Sequence, residues 1–307
     1  MRRHPSHTDP STFVHQECMD GLCSLADSQR KRLFTMLCDE RLRRKHSEII
    51  DICDSINDNW SQTSYSLLLR FMGGTRNRTP FEELSIRVPY NIIMRENSSL
   101  HMIESLLFGA SGLLALCPND TYTNRLRQEF THLSAKYSIT PMSADDWTTT
   151  HIYPHSHPLL RVAQLAALLH YKGLSITDIA NCTRLDDLKR MFATPPSEYW
   201  RDMILGNSTH SGNMGRMQSN ILGINFVVPI VYAYGNTTQN ISLQQRALAL
   251  LSALPAEDNR YIRPWQAHSN IATSAHDSQA LLQLSKEYCE KKLCAECPLR
   301  EFMGKKR

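Results

Sequence analysis

Apolar residues are densest over positions 215–235, GRMQSNILGINFVVPIVYAYG, and nearly every position from 221 to 234 is apolar. A helix that is apolar on all sides is a buried one. This run is too short to span a bilayer, and Asn225 and Pro229 interrupt it. The pattern therefore predicts a core helix, bent or ended near Pro229 and closed by Gly235. Elsewhere the apolar spacing is also helical. Leu33, Leu37, Ile49, Ile50, Cys53 and Ile56 fall on one stripe between 28 and 57, with Glu40 and Arg44 paired on its wet side. Further helices are expected over 60–72 before Gly73-Gly74, over 100–108 and 161–171, and over 274–288. Thr79, Ser98 or Ser99, Asn119 or Asp120, and Ser242 are expected as N-caps. No stretch alternates with period two, and no repeat is visible. The predicted fold is all-α, an irregular multi-helix globular bundle around a buried apolar helix. Residues 1–12 read as a flexible lead-in and 13–307 as one helical domain, within which 13–116 is a sub-domain candidate. The domain ends in a Cys-rich tail, 289–297.

Composition agrees with helices. Glycine is scarce, 12 of 307 residues, which leaves few positions for tight hairpin turns. The net charge of +4 permits DNA or RNA as a partner but falls short of the strong basic bias typical of nucleic-acid binders. Nine cysteines is an odd number, and Cys18, Cys23, Cys38, Cys53, Cys117 and Cys182 are scattered singly. That is not a secreted disulfide framework. With no apolar leader and no transmembrane-length run, a cytoplasmic protein without a membrane partner is expected.

The sharpest chemistry lies at the end of the chain. Cys289, Cys294 and Cys297 stand in C-x4-C-x2-C spacing, and thiolates two residues apart can reach one metal from a single turn. Zinc or an iron–sulfur cluster would suit this donor set. A closed site needs a fourth ligand, for which His268, His276 and Cys182 are candidates. His151, His155 and His157 fall within seven residues, but two prolines and the lack of helical spacing make them incidental loop histidines. Arg161 and Arg216 open predicted helices, where backbone N–H groups attract anions. With Lys291 and Lys292 they form a candidate set of phosphate contacts. The run Arg41–His46, RLRRKH, reads as a solvated helix face. No P-loop, dinucleotide fingerprint, H-E-x-x-H or nucleophile elbow is present.

From 60 to 297 the chain resembles a bacterial family, DUF2851, found largely in Bacteroidetes. The blocks that carry the resemblance are PFEELSIRVP (80–89), HMIESLLFGASGLL (101–114), RVAQLAALL (161–169), SEYW (197–200), INFVVPIVYAYG (224–235), LPAEDN (254–259) and DSQALLQLSKEYCEKKLCAEC (277–297). Typical members are longer at the N-terminus, where acidic and histidine motifs look like a restriction-endonuclease-like core. The resemblance thus implies that this chain is the helical C-terminal portion, without a nuclease centre. The tail is also similar to the iron–sulfur tail of helix–hairpin–helix DNA glycosylases, with three cysteines where that group has four. The expected function is a non-catalytic helical module that binds nucleic acid, with a metal-stabilised cysteine knuckle. The alternative is a structural or protein-interaction domain.

Overall fold

The structure, a computed structural model, describes residues 14–206 and 210–304, so the expected lead-in lies outside the described residues. In chain order the helices are α1 (Gln16–Ser24), α2 (Asp27–Ser55), α3 (Trp60–Met72), α4 (Arg78–Arg87), α5 (Tyr90–Arg95), α6 (Leu100–Ala110), α7 (Thr121–Tyr137) and α8 (Pro158–Lys172). There follow α9 (Ile176–Ala180), α10 (Leu185–Phe192), α11 (Glu198–Leu205), α12 (Arg216–Leu222), α13 (Val228–Thr237), α14 (Ile241–Ala253), α15 (Arg263–His268), α16 (Ala275–Gln283) and α17 (Pro298–Phe302). Among the described residues the only β pairing is an isolated antiparallel bridge between Pro255 and Ser274. The fold is all-α. It divides into two compact units, neither of which is the 13–116 segment. One is Ile49–Ala247, and the other joins the chain up to Glu48 to the chain from Leu248 onward.

In the unit Ile49–Ala247 the apolar stretch is buried as the pattern predicts: Ile224, Phe226, Val227, Val228, Ile230 and Val231 all lose their solvent contact. Pro229 does not end the helix. Proline has no N–H to give to the carbonyl four residues back, and here the turn before it widens. Gly223–Val227 is π-helical, and the Val228 N–H reaches back to the Gly223 carbonyl. Asn225 Nδ2 takes up the Ile221 carbonyl at 3.2 Å. The helix then continues to Thr237, past Gly235. Gly235 is needed for proximity rather than for capping, since a Cβ there would stand 2.9 Å from Leu243 Cβ. Helix α6 packs on α7 and α8, and α3 on α4 and on the π turn. Helix α8 is buried at every position from Pro158 to Leu169.

Several caps follow expectation, such as Ser99 Oγ, which accepts the Met102 N–H, and Asp120, which accepts that of Thr123. Two differ. Helix α4 starts at Arg78, ahead of Thr79, and the preceding Asn77 spends its side chain on Thr148 N and O at 2.8 and 3.0 Å. Helix α14 is capped by Asn240, whose Oδ1 accepts the Leu243 N–H, rather than by Ser242.

In the other unit, the basic run on α2 is not a solvated face. Arg41 is buried, and its Nε donates to Gln279 Oε1 at 2.6 Å. Burial, and then the charge of Arg44, push the Arg41 guanidinium down to about 10. Glu40 and Arg44 do not pair with each other. Glu40 accepts from Gln283 Nε2 and from the Tyr288 hydroxyl, and Arg44 bonds to Glu48. The reason is that α16 and the turn after it lie over this stripe of α2, so residues that read as wet become a polar ladder between helices. A second π turn, Leu284–Cys289, continues α16, and the buried Trp265 indole donates to Ser285 Oγ at 2.9 Å.

Two glycines with positive φ separate steric need from conformational need. At Gly112 (φ +72°) a Cβ would lie 2.1 Å from the Met142 carbonyl oxygen, whereas at Gly74 (φ +61°) it would meet nothing within 4 Å. Gly112→Ala is expected to destabilise by about 2–4 kcal/mol, left-handed strain and overlap together. Gly74→Ala should cost about 1 kcal/mol from strain alone. Urea unfolding midpoints would check the ordering, which equal losses at the two sites would refute.

Candidate metal centre

The tail is shaped by backbone bonds before any side chain is considered. At the end of the π turn the Glu290 N–H reaches back five residues to the Ser285 carbonyl at 2.8 Å, and Cys289 is left half-buried. The chain then reverses. Leu293 N–H bonds the Tyr288 carbonyl at 2.9 Å and Lys292 N–H the Cys289 carbonyl at 3.1 Å, with Lys292 in the left-handed region at φ 57°. A further turn, from Cys297 N–H to the Cys294 carbonyl at 3.4 Å, sets those two cysteines on one bend. Pro298 then opens α17.

A fourth cysteine arrives from the opposite end of the chain. Cys18 sits in the first turns of α1. That helix is fixed by His268, whose Nε2 lies 3.0 Å from Asp20 Oδ1 and whose Nδ1 lies 3.1 Å from Gln16 Nε2. It meets α17 through Gly21, where a Cβ would be only 2.3 Å from Met303 Cε. The result is a cavity of about 420 Å³ whose wall includes Cys18, Cys289, Cys294 and Cys297, with Tyr288 and Arg300 beside them. Cys294 is exposed and the other three are partly covered.

The electrostatics reflect this proximity. Burial, and then the neighbouring Cys297, Cys18 and Cys294 as thiolates, push the Cys289 thiol up to about 12. The Cys297 thiol is also raised by burial, against the lowering effect of the Arg300 and Leu299 backbone N–H groups that point at its sulfur. Amide donors of this kind stabilise a thiolate once it forms. Tyr288, in the wall of the same cavity, donates its hydroxyl to both Glu40 oxygens at 3.0 Å.

The donor set has the chemistry of a soft-metal site. Among the described residues no three His, Cys, Asp or Glu side chains are grouped to hold a single ion. The four cysteines share the wall of a cavity of about 420 Å³ with six other residues.

The other candidates from the sequence do not meet at this site. His268 is engaged by α1, as described, and His276 lies 3.5 Å from Asp277. Cys182 is buried in the unit Ile49–Ala247. Of the phosphate candidates, Arg161 is buried and bonds Gln164 and Gln218. Lys291 pairs with Glu287, and Arg216 and Lys292 are exposed. His151 and His155 are exposed, while His157 caps α8 by accepting the Leu159 N–H. Cys18 carries no sequence signal that sets it apart from the scattered cysteines, because only the packing of α1 brings it to the tail.

No curated protein and no solved structure matches the chain at a significant level. A family model of proteins of unknown function matches residues 9–260, a span that includes Cys18 and stops before Cys289. On that match, which covers most of its length, the chain belongs to the DUF2851 family.

Proposed function

We propose that this protein is an iron–sulfur protein, with Cys18, Cys289, Cys294 and Cys297 as the ligands of one cluster and the helical scaffold as its holder. The observation that carries this reading is the single cavity walled by four cysteines from both ends of the chain. When bound, the cluster would supply a charged, electron-accepting centre close to the surface, reached from solvent on the Cys294 side. The residues of the chain present four sulfurs, direct two backbone N–H groups at Cys297, and tie the Tyr288 hydroxyl to Glu40. For nucleic acid as a partner, the remaining support is Arg216 and Lys292, the two candidate cations that are exposed without a partner of opposite charge among the described ion pairs. A gel shift with single- and double-stranded DNA and RNA at low salt tests that role, since phosphate contacts weaken as salt rises.

Anaerobic reconstitution of the full chain with ferrous iron and sulfide should yield iron and acid-labile sulfide in equal amounts, with visible charge-transfer absorption. Cys18→Ser is expected to reduce the iron content as strongly as Cys297→Ser, whereas Cys23→Ser, on the same helix as Cys18, should leave it unchanged. Protein that takes up zinc without sulfide, or no metal at all, would contradict the cluster.

A further inference from the structure

Two of the four ligands, Cys294 and Cys297, stand on a segment that has little else to hold it. From 290 to 296 every residue is exposed, and between 290 and 304 the only buried side chain is Leu299. Ordering fifteen residues costs conformational entropy at every position, against which the segment sets the burial of Leu299 and the partial burial of Pro298, Phe302 and Met303. The five-residue α17 adds nothing on its own, since isolated helices of that length do not form in water. The polar links of this segment are few and on the surface, such as Lys291 with Glu287 and Arg260 with Glu290, and exposed pairs contribute little. Helix α1 is similar. It is nine residues long and buries Met19, Gly21 and Leu22, and part of its contact is with Met303 of the same tail.

Resting on the four-cysteine reading, we propose that the cluster is the tie that orders both ends of the chain. With it bound, α1 and residues 290–304 form one docked element. Without it, both segments open locally while the helices behind them stay folded. Metal–thiolate bonds from Cys18, Cys289, Cys294 and Cys297 would bridge α1, the π turn and α17 at a single point. A site whose ligands come from segments that are not otherwise stable converts binding free energy into local folding free energy. Occupancy of the site then decides whether the surface under the tail, including the Gly21 face of α1, is covered or open.

Hydrogen–deuterium exchange on the full chain, reconstituted anaerobically and compared with the same preparation left metal-free, tests this. Peptides covering 16–24 and 290–304 should exchange at least tenfold more slowly in the loaded sample, and peptides covering 158–172 should be unchanged. In loaded Leu299→Ala the slow exchange of 290–304 should persist, because the metal rather than the leucine is the tie. Equal exchange of the two segments in loaded and metal-free protein, with iron bound, would overturn the proposal and leave the cluster reading intact. Loss of protection in loaded Leu299→Ala would overturn it too. Failure to take up iron, measured on the same samples, would defeat the cluster reading and this proposal with it.

Discussion

A buried helix that contains a proline must continue without the N–H that the proline lacks. The unit Ile49–Ala247 depends on how this constraint is met. Between Leu222 and Val228 the chain widens into a π turn, and the Asn225 side chain bonds the carbonyl of Ile221. The apolar run then passes through Pro229 without a break and can be buried along its length. A break at Pro229 would have turned polar backbone into the core, where each unpaired group costs free energy. Helix α3 packs against that π turn, so the irregularity is itself part of the core.

The second unit uses the same device for a different end. Its π turn, Leu284–Cys289, is where α16 stops behaving as a regular helix, and its final residue is the first cysteine of the tail. Insertion of a residue into a helix turns every later side chain relative to those before it. Tyr288 is thereby directed to Glu40 and Cys289 to the cavity. Polar side chains fix the turn in place: Trp265 with Ser285, and the ladder Arg41–Gln279 and Glu40–Gln283. The candidate metal centre is thus backed by buried hydrogen bonds on one side and by loosely held chain on the other. In the proposed cluster reading, such an arrangement would keep Cys289 fixed while Cys18, Cys294 and Cys297 respond to metal.

Much of the helical pattern was readable from residues alone. Both ends of α3, the start of α6, the Asp120 cap, and the burial of most of 221–234 and of 161–169 follow from local rules of spacing and capping. The misplaced details share a cause. Asn77 looked unremarkable because its partners, the backbone groups of Thr148, are far along the chain. Gly235 looked like a terminator, and its true role, room for Leu243, depends on the next helix folding back. The basic run on α2 looked wet because nothing in its own sequence announces Gln279, Gln283 and Tyr288, which lie some 240 residues away in α16 and the turn beyond it.

The candidate site divides in the same way. Three cysteines in C-x4-C-x2-C spacing mark the tail as a donor set, since that is a matter of reach along a few residues of backbone. The fourth member was invisible. Cys18 and Cys23 are both lone cysteines near the N-terminus, and the first joins the cavity only because α1 docks through Gly21 on Met303 and through Asp20 on His268. By itself, then, the sequence determined the class of fold, the buried helix and the close spacing of the three tail cysteines, because these are set by side-chain periodicity and local order. Which cysteine joins the tail at the cavity was decided by tertiary structure alone, because contacts between distant parts of a chain leave no trace in the order of residues along it.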